Sequence, residues 1–472
     1  MYGAQLITVV IQFLYAAVTS RTIDPDGFGS YAIALAVSGL LTLLAVGGLS
    51  QAVARMEVLE LARLRSMVTY AVALGAGLGL LMWLTAPLWA ILWGNSYATS
   101  IIRWLAISTS VAPLASVGQT LLRRRGQFRA LATIALTSNI GGMALGVWAV
   151  IVFETADALV VSPVAAQVGL LIGSLLLSGG SLLGFAKVGR KSIEVAFSAQ
   201  LIPVKLADYV IGNVAKFSTS RWVGVESFGF WNRGDVVTSL PFQQIQTAII
   251  QAISPEFRHD IRDSVRANRV WTDMLILISW VAFPLSAATA VVVPFLVPVL
   301  FGPGWEMTGV LVPWLAIASG IQILATVLAS AIEVLGRLKW IWSSAVILLL
   351  IQGVAATFLF VLRDLIVAMI FLVLTQIVRH IVNIWQCGRI GYLDVRKLAK
   401  GYMFALLFGV FLAACVWAAS KLIQLSFSDA TPGWSILGLV IIVGLSASVF
   451  ALRSRLPPIK IARTYGIFSA QR

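Results

Sequence analysis

Long apolar runs alternate with short polar segments along the chain, and this pattern predicts helices that cross a membrane. A membrane-spanning helix needs about 20 predominantly apolar residues, and we count fourteen such runs. The seventh run is the weakest because it contains Lys205, Asp208 and Lys216. The approximate limits of the predicted spans are 2–19, 31–54, 67–91, 102–122, 130–152, 160–185, 201–218, 231–254, 272–300, 308–332, 340–360, 365–386, 400–420 and 434–452.

The composition supports an all-α, polytopic membrane protein. Of the 472 residues, 59% are hydrophobic and 11% are charged, and the mean hydropathy is +0.94. Soluble domains carry about 25% charged residues. No basic segment or small-residue cleavage site marks Tyr2–Thr19, so we expect a retained first span rather than a signal peptide. Cys387 and Cys415 are expected to pack between helices, with no disulfide framework and no metal site.

The basic residues predict the orientation of the chain in a plasma membrane. Counted from the N-terminus, the even-numbered loops and the C-terminal tail hold 25 of the 34 Lys and Arg residues, and the odd-numbered loops hold four. Because cytoplasmic loops are enriched in Lys and Arg, we expect both termini in the cytoplasm. The net charge of +15 then reflects topology and not binding to nucleic acid.

A short segment occurs twice, 200 positions apart. Residues 19–32 read TSRTIDPDGFGSYA, and residues 219–232 read TSRWVGVESFGFWN. Two later echoes follow in the same order, ILWGNSY with VLFGPGW at an offset of 208 and GQFR with GRLK at an offset of 210. An even number of helices separates the copies, so the halves are expected to be parallel repeats with a substrate path at their interface. We predict six-helix bundles over 1–199 and 200–395, and two additional helices with a basic tail over 396–472.

The repeated segment allows a structural or a functional interpretation. Gly29 and Gly229 are expected to form tight turns into the second and eighth helices. The aromatic residues Phe28, Tyr31, Phe228 and Trp231 are expected to form a belt at the outer interface. The predicted outer face otherwise avoids positive charge. Arg21 and Arg221 therefore either line the outer mouth of a path or extend to lipid headgroups.

The seventh run has a polar face. At 100° per residue, Lys205, Asp208, Tyr209, Gly212, Asn213 and Lys216 lie within one arc of about 140°. The first run carries Gln5, Thr8, Gln12 and Thr19 on the matching arc. A charge at membrane depth costs at least about 2.5–3.5 kcal/mol unless it meets water or a partner. The face either lines a cationic lumen for an anionic substrate or holds structural ion pairs.

Several charged residues allow either interpretation. Lys205 and Asp208 have the spacing of an i,i+3 pair. Arg233 and Asp235 are expected to pair with Lys216 or with each other across the fold. Asp273, Arg379 and His380 lie near predicted cytoplasmic helix ends and are expected to be interfacial. Prolines within the predicted spans are interpreted as tolerated kinks or as hinges: Pro113, Pro203, Pro241, Pro284 and Pro313.

The opening of the chain resembles that of the polysaccharide-transporter family, the Wzx-type flippases of lipid-linked oligosaccharides. The resemblance rests on Arg21, the acidic pair Asp24 and Asp26, the FGSY segment at 28–31, and GLSQAVAR at 48–55. These flippases belong to the multidrug/oligosaccharidyl-lipid/polysaccharide exporter superfamily. The resemblance implies two six-helix bundles around a cationic lumen and an alternating-access cycle. It also implies translocation of a polyprenyl-pyrophosphate-linked glycan from the cytoplasmic to the periplasmic leaflet of a bacterial inner membrane.

The implied mechanism is electrostatic. Lys205, Lys216, Arg233, Arg21 and Arg221 are expected to bind the pyrophosphate. The expected lumen residues are Gln5, Thr8, Gln12, Tyr209 and Asn213, and the candidates for ion coupling are Asp208 and Asp235. No cofactor is implied, and coupling to a proton, to sodium or to the membrane potential stays open. The implied partners are the lipid-linked glycan, membrane lipids, and polymerase or export proteins.

Three other functions belong to different classes. A multidrug antiporter of the same superfamily would share the repeat, but acidic lumen residues would be expected. A glycan polymerase would be an enzyme with a large outer loop, whereas the longest predicted outer loop here has about 13 residues. A scaffold would not need a repeated polar face at membrane depth. No Gly-rich phosphate loop is visible, which argues against direct use of ATP.

Overall fold

The computed structural model describes residues 2–46, 48–49, 53, 60–178, 180, 182, 184–186, 193–260 and 263–426. The described residues form fourteen α-helices and no strand, which confirms the predicted fold class. The helices are α1 (Tyr2–Thr22), α2 (Pro25–Val46), α3 (Leu61–Trp93), α4 (Ala98–Arg124), α5 (Phe128–Phe153), α6 (Val161–Leu177), α7 (Ile193–Ser218), α8 (Val225–Val237), α9 (Ser239–Asp260), α10 (Ser264–Phe301), α11 (Glu306–Val334), α12 (Leu338–Leu362), α13 (Leu365–Arg389) and α14 (Val395–Ser426).

Helices long and apolar enough to cross a membrane dominate the chain. Within the described residues there are ten, namely α2 to α6 and α10 to α14, with α6 extended by a 3₁₀ turn at Ala156–Val160. The protein is therefore a multi-pass membrane protein. The weak seventh span is present as the helix α7 of 26 residues, although it is not among these ten. The predicted fourteenth span, 434–452, lies outside the described residues.

Both copies of the repeated segment are mostly helical instead of looped. Helix α1 continues to Thr22, and α2 begins at Pro25, directly after Asp24. The Asp24 carboxylate accepts a hydrogen bond of 2.8 Å from the Gly27 backbone N–H, as expected of an N-terminal capping residue followed by proline. In the second copy a π-helical turn at Thr219–Val223 extends α7 as far as Gly224, whose φ is 140°. The connection between the two helices in each copy is therefore shorter than predicted.

The predicted eighth span, 231–254, is not a single helix. It is divided at Thr238 into α8 and α9. Pro241 follows three residues after the break, and its ring nitrogen cannot donate to the Val237 carbonyl, which an uninterrupted helix would require. This proline therefore ends one helix and begins another.

The chain forms two compact units. The first comprises Met1–Arg233 with Ala356–Leu365, and the second comprises Gly234–Ala355 with Ile366–Arg472. The predicted bundle boundaries at 199 and 395 stay a prediction. The first unit contains a hydrophobic core to which α3 contributes Leu64 and Met67 and α4 contributes Leu121. The second contains a larger core around Trp271 and Leu328.

Candidate functional site

The two copies of the repeated segment contact each other through their glycines. A Cβ atom at Gly29 would lie 2.0 Å from the Val225 carbonyl oxygen, and one at Gly229 would lie 1.8 Å from the Pro25 carbonyl oxygen. These contacts are equivalent under the 200-residue offset, so the first turns of α2 and α8 cross as a reciprocal pair. Small residues let helix backbones approach this closely. The predicted role of both glycines in tight turns is wrong, because both lie inside helices.

The aromatic residues of the repeat are buried beneath this crossing. Phe28, Tyr31, Phe228 and Trp231 are 0%, 7%, 3% and 1% exposed, so the predicted belt at the outer interface is wrong. Phe228 stacks on Trp93 with ring centroids 5.8 Å apart. The same residue types suit an interface or a core, and here packing between the two copies and against α3 buries them.

Arg233 directly follows the second copy in the chain and contacts the first copy. Its guanidinium carbon lies 3.8 Å from the centroid of the Phe28 ring. Its Nη1 atom donates to the Ser20 hydroxyl at 3.5 Å, and Nη2 donates to the Asn232 side chain at 3.1 Å. The side chain is 4% exposed, and its Nε has no acceptor among the described residues. Arg233 is thus a buried cation held by neutral groups.

Lys216 is the second cation at this place. It is half-buried near the end of α7, and its Nζ lies 5.8 Å from the centroid of the Trp231 ring. The structure therefore places Lys216 and Arg233 against aromatic rings of the repeated segment. Asp235 accepts a hydrogen bond of 3.0 Å from Ser239, whose hydroxyl also lies 3.3 Å from that of Ser319.

The polar face predicted on α7 divides into different environments. Asp208 is exposed, and a Cβ atom at Gly212 would meet nothing within 4 Å. Tyr209 and Asn213 instead line an apolar pocket of about 230 Å³ with α2 and α3. The Asn213 amide donates to the Tyr209 carbonyl at 2.8 Å. The polar face of α7 is therefore open at Asp208 and Gly212, whereas Tyr209 and Asn213 face α2 and α3.

Tyr209 joins α7 to α2. Its hydroxyl donates to the Ala36 backbone carbonyl. A Cβ atom at Gly39 would lie 2.8 Å from that hydroxyl oxygen, so the missing side chain of Gly39 makes room for it. This contact assigns the expected lumen residue a role in packing.

The two arginines of the repeat, Arg21 and Arg221, are both exposed. Arg221 packs along the end of α3, where its Nη1 lies 3.3 Å from the position of a Cβ atom on Gly94. Ser220 donates to the Trp93 carbonyl at 3.4 Å. A cation at the carbonyl end of a helix is favourable, so Arg221 has a structural role beside the expected one.

The structure does not describe the side chains of three predicted lumen or binding residues, namely Gln5, Thr8 and Lys205. Gln12 is half-buried on α1. Substrate binding by these cations and polar residues stays a prediction, as does ion coupling by Asp208 or Asp235.

Sequence reasoning missed a buried polar row on α13. His380, Asn383 and Gln386 are 7%, 3% and 3% exposed and are thus buried among helices, whereas the expected position of His380 near the membrane interface stays a prediction. His380 Nε2 lies 3.1 Å from the Tyr402 hydroxyl, and the Asn383 amide donates to the Ala325 carbonyl at 3.1 Å. The strong amphipathic pattern of this helix was the available signal. Asp273 is likewise buried and pairs with Lys397 instead of lying free at the interface.

The sequence profile of the polysaccharide biosynthesis protein family matches residues 18–309, which include the crossing, both cations and the Tyr209 contact. The chain belongs to this family. It is 25% identical over 290 residues to the teichuronic acid biosynthesis protein TuaB of Bacillus subtilis, with 58% of each chain covered. It is 23% identical over 337 residues to the succinoglycan biosynthesis transport protein ExoT of Rhizobium meliloti, covering 66% of this chain and 64% of that protein. The chain thus spans about three fifths of the length of these relatives.

Two solved structures share the fold. The inward closed conformation of the lipid II flippase MurJ superposes with a TM-score of 0.74 at 11% identity, covering 95% of this chain and 97% of that one. An inward-facing multidrug resistance transporter of the MATE family superposes with a TM-score of 0.59 at 14% identity, covering 82% of this chain and 98% of that one. At these identities the likeness shows the fold alone.

Proposed function

We propose that this protein moves a polyprenyl-pyrophosphate-linked oligosaccharide from the cytoplasmic to the periplasmic leaflet of a bacterial inner membrane. The product would feed synthesis of an O-antigen, a capsule or an exopolysaccharide. Membership in the polysaccharide biosynthesis protein family and the transport protein among the relatives support this proposal. The proposed activity is transport by alternating access, without covalent chemistry and without a cofactor.

The observation that carries the proposal is the buried Arg233 at the crossing of the two copies. A cation at membrane depth is costly, by at least about 2.5–3.5 kcal/mol on insertion scales. A desolvated contact with the Phe28 ring, worth about 2 kcal/mol or more, and hydrogen bonds to Ser20 and Asn232 offset that cost, but all of these partners are neutral. A pyrophosphate would offer charge-assisted hydrogen bonds of about 1.5–3 kcal/mol each. An anionic headgroup would therefore compete well with Phe28 for the guanidinium.

This competition suggests how substrate could open the crossing. With Gly29 and Gly229 in contact, the first turns of α2 and α8 close the end of the first unit that the charge pattern predicts to face the periplasm. In the proposed cycle, Lys216 first attracts the pyrophosphate and Arg233 then leaves Phe28 to bind it. Separation of the two copies would release the headgroup on the periplasmic side. In this proposal the substrate drives the change because it binds the open state of the crossing more tightly than the closed state.

The coupling ion and the protein partners belong to the same proposal. We infer that Asp208, which is exposed on α7, or Asp235, which accepts from Ser239, carries a proton or sodium, with the membrane potential as a further source of energy. Polymerase or export proteins would take up the translocated glycan. Both termini are proposed to be cytoplasmic.

The test is a vesicle assay with the purified full chain. A fluorescently labelled polyprenyl-pyrophosphate oligosaccharide is incorporated into both leaflets, and a membrane-impermeant reductant is added outside. The wild-type protein should expose the inner half of the label to the reductant. Arg233→Gln and Lys216→Gln should each slow this phase at least about tenfold, since each loses a charged contact.

The matched control is Arg103→Gln, because the exposed Arg103 guanidinium lies 5.0 Å from the centroid of the Trp83 ring and not against a ring of the repeated segment. It should leave the rate unchanged. Failure of the wild-type protein to move the labelled lipid would contradict the proposal. Export of a lipophilic cationic dye by the same vesicles would then favour the multidrug antiporter, whose fold the protein also shares.

A further inference from the structure

The first unit contains an apolar pocket of about 640 Å³ at one end of α4, α5 and α6. Its wall includes Trp104 and Ile107 of α4, Phe153 at the end of α5, and Val164 and Ala165 of α6. The volume lies within the range of about 300–1,000 Å³ that is typical of small-molecule sites. A hydrocarbon chain is the ligand that such a wall would favour.

The pocket opens towards the surface that lipid would cover. Trp104, Ile107 and Phe153 are 58%, 42% and 58% exposed, and they belong to helices that are apolar enough to span a membrane. Large apolar side chains exposed on such helices face hydrocarbon in a bilayer. A molecule of the bilayer can therefore enter the pocket from the side, without passing through the protein.

One carboxylate interrupts the apolar wall. Asp157 lies in the 3₁₀ turn between α5 and α6, is half-buried, and lines the pocket. A carboxylate beside an apolar wall favours a ligand that is cationic at one end, because charge-assisted hydrogen bonds are stronger than neutral ones. The charge pattern places this turn at the periplasmic end of its helices, which is the level of lipid headgroups. A cationic group that carries N–H donors would pair with this carboxylate.

We propose that the pocket binds one chain of a bilayer phospholipid whose headgroup ends in a primary ammonium group. The ammonium donates to the Asp157 carboxylate at the pocket while the hydrocarbon chain lies against Trp104, Phe153 and Val164. A choline headgroup has the same positive charge but no N–H bond, so it cannot make this hydrogen bond. The site should therefore distinguish these two headgroups, although their chains are the same.

The test uses native mass spectrometry of the purified full chain in micelles that contain equal amounts of ethanolamine and choline phospholipids with identical chains. The wild-type protein should retain the ethanolamine lipid in about tenfold preference, as expected for a charge-assisted hydrogen bond. Asp157→Asn should reduce the preference to near equality while choline lipid still binds, which shows that the variant is folded. Glu154→Gln, a change at a neighbouring exposed carboxylate, should keep the preference.

A second variant tests the pocket without changing any charge. Ala165→Phe places a ring in the cavity and should reduce retention of both lipids several-fold. An unchanged headgroup preference in Asp157→Asn would overturn the proposal. So would undiminished lipid retention in Ala165→Phe, because the bound lipid would then lie elsewhere. Neither readout depends on transport, so the proposal stands or falls separately from the proposed function.

Discussion

Arg233 lies on Phe28, with its guanidinium carbon 3.8 Å from the ring centroid, and this contact connects the second copy of the repeated segment to the first. It lies next to the reciprocal crossing of Gly29 and Gly229. The two features together explain why the segment occurs twice, because each copy supplies the surface against which the other packs. The repeated segment thereby forms a crossing of two helices, and in the proposed cycle this crossing closes and opens.

The Arg233–Phe28 pair should show energetic coupling. Phe28→Leu removes the ring and leaves a buried cation, whereas Arg233→Gln removes the charge itself. We expect a coupling energy of about 1–2 kcal/mol in the double-mutant cycle. Thermal unfolding of the purified wild-type protein, the two single variants and the double variant in the same detergent gives the four values. If the two substitutions have additive effects, the ring does not stabilise the cation.

The glycine crossing should not tolerate even one methyl group. Gly229→Ala would bring Cβ to within 1.8 Å of the Pro25 carbonyl oxygen, so the two helices must separate. We expect a cysteine at Ser20, which is 3% exposed, to become accessible to an impermeant maleimide in this variant. The labelling is measured in a background in which both native cysteines, Cys387 and Cys415, are replaced by serine.

Gly212→Ala is the control for this experiment. Gly212 lies on α7, and its added Cβ would meet nothing within 4 Å. Labelling at position 20 should stay as low as in the parent protein. Equal labelling of the Gly229→Ala and Gly212→Ala variants would show that the crossing does not protect this side chain.

The Tyr209 hydroxyl should stabilise the contact of α7 with α2. Tyr209→Phe removes its hydrogen bond to the Ala36 carbonyl while keeping the ring. We expect a loss of about 0.5–1.5 kcal/mol, the usual net value of such a bond. The change would appear as a lower unfolding midpoint. Tyr97→Phe is the matched control, because that side chain is 80% exposed and its substitution should leave the midpoint unchanged.

Asn383 provides a test of the buried polar row on α13. Its amide donates to the Ala325 carbonyl at 3.1 Å within a buried row of polar side chains. Asn383→Leu removes this donor. We expect a loss of about 0.5–1.5 kcal/mol in the free energy of unfolding, the usual net value of such a bond.

The measurement is the unfolding midpoint of the purified variant and of the wild-type protein in the same detergent. An unchanged midpoint for Asn383→Leu would show that this hydrogen bond does not stabilise the contact of α13 with α11.

The apolar pattern was sufficient for the class, for most of the helices and for the internal repeat, because burial in lipid demands long apolar segments whatever they pack against. The identity of the repeated residues also located the candidate site. It did not indicate that Pro241 divides a span, because many spans tolerate a proline and the outcome depends on neighbouring helices. It also did not reveal the polar row on α13, since polar residues at helical spacing look alike whether they face a lumen or other helices.

The sequence by itself determined that the chain is a helical membrane protein with two related halves and a polysaccharide-transporter pattern. Only the tertiary structure decided that Phe28 and Trp231 are buried, that Gly29 and Gly229 cross, and that Arg233 lies under a ring from the other copy. The reason is that hydropathy is a property of each segment alone. The environment of an aromatic ring, a glycine or a charge is set by a partner 200 positions away, whose position only the fold defines.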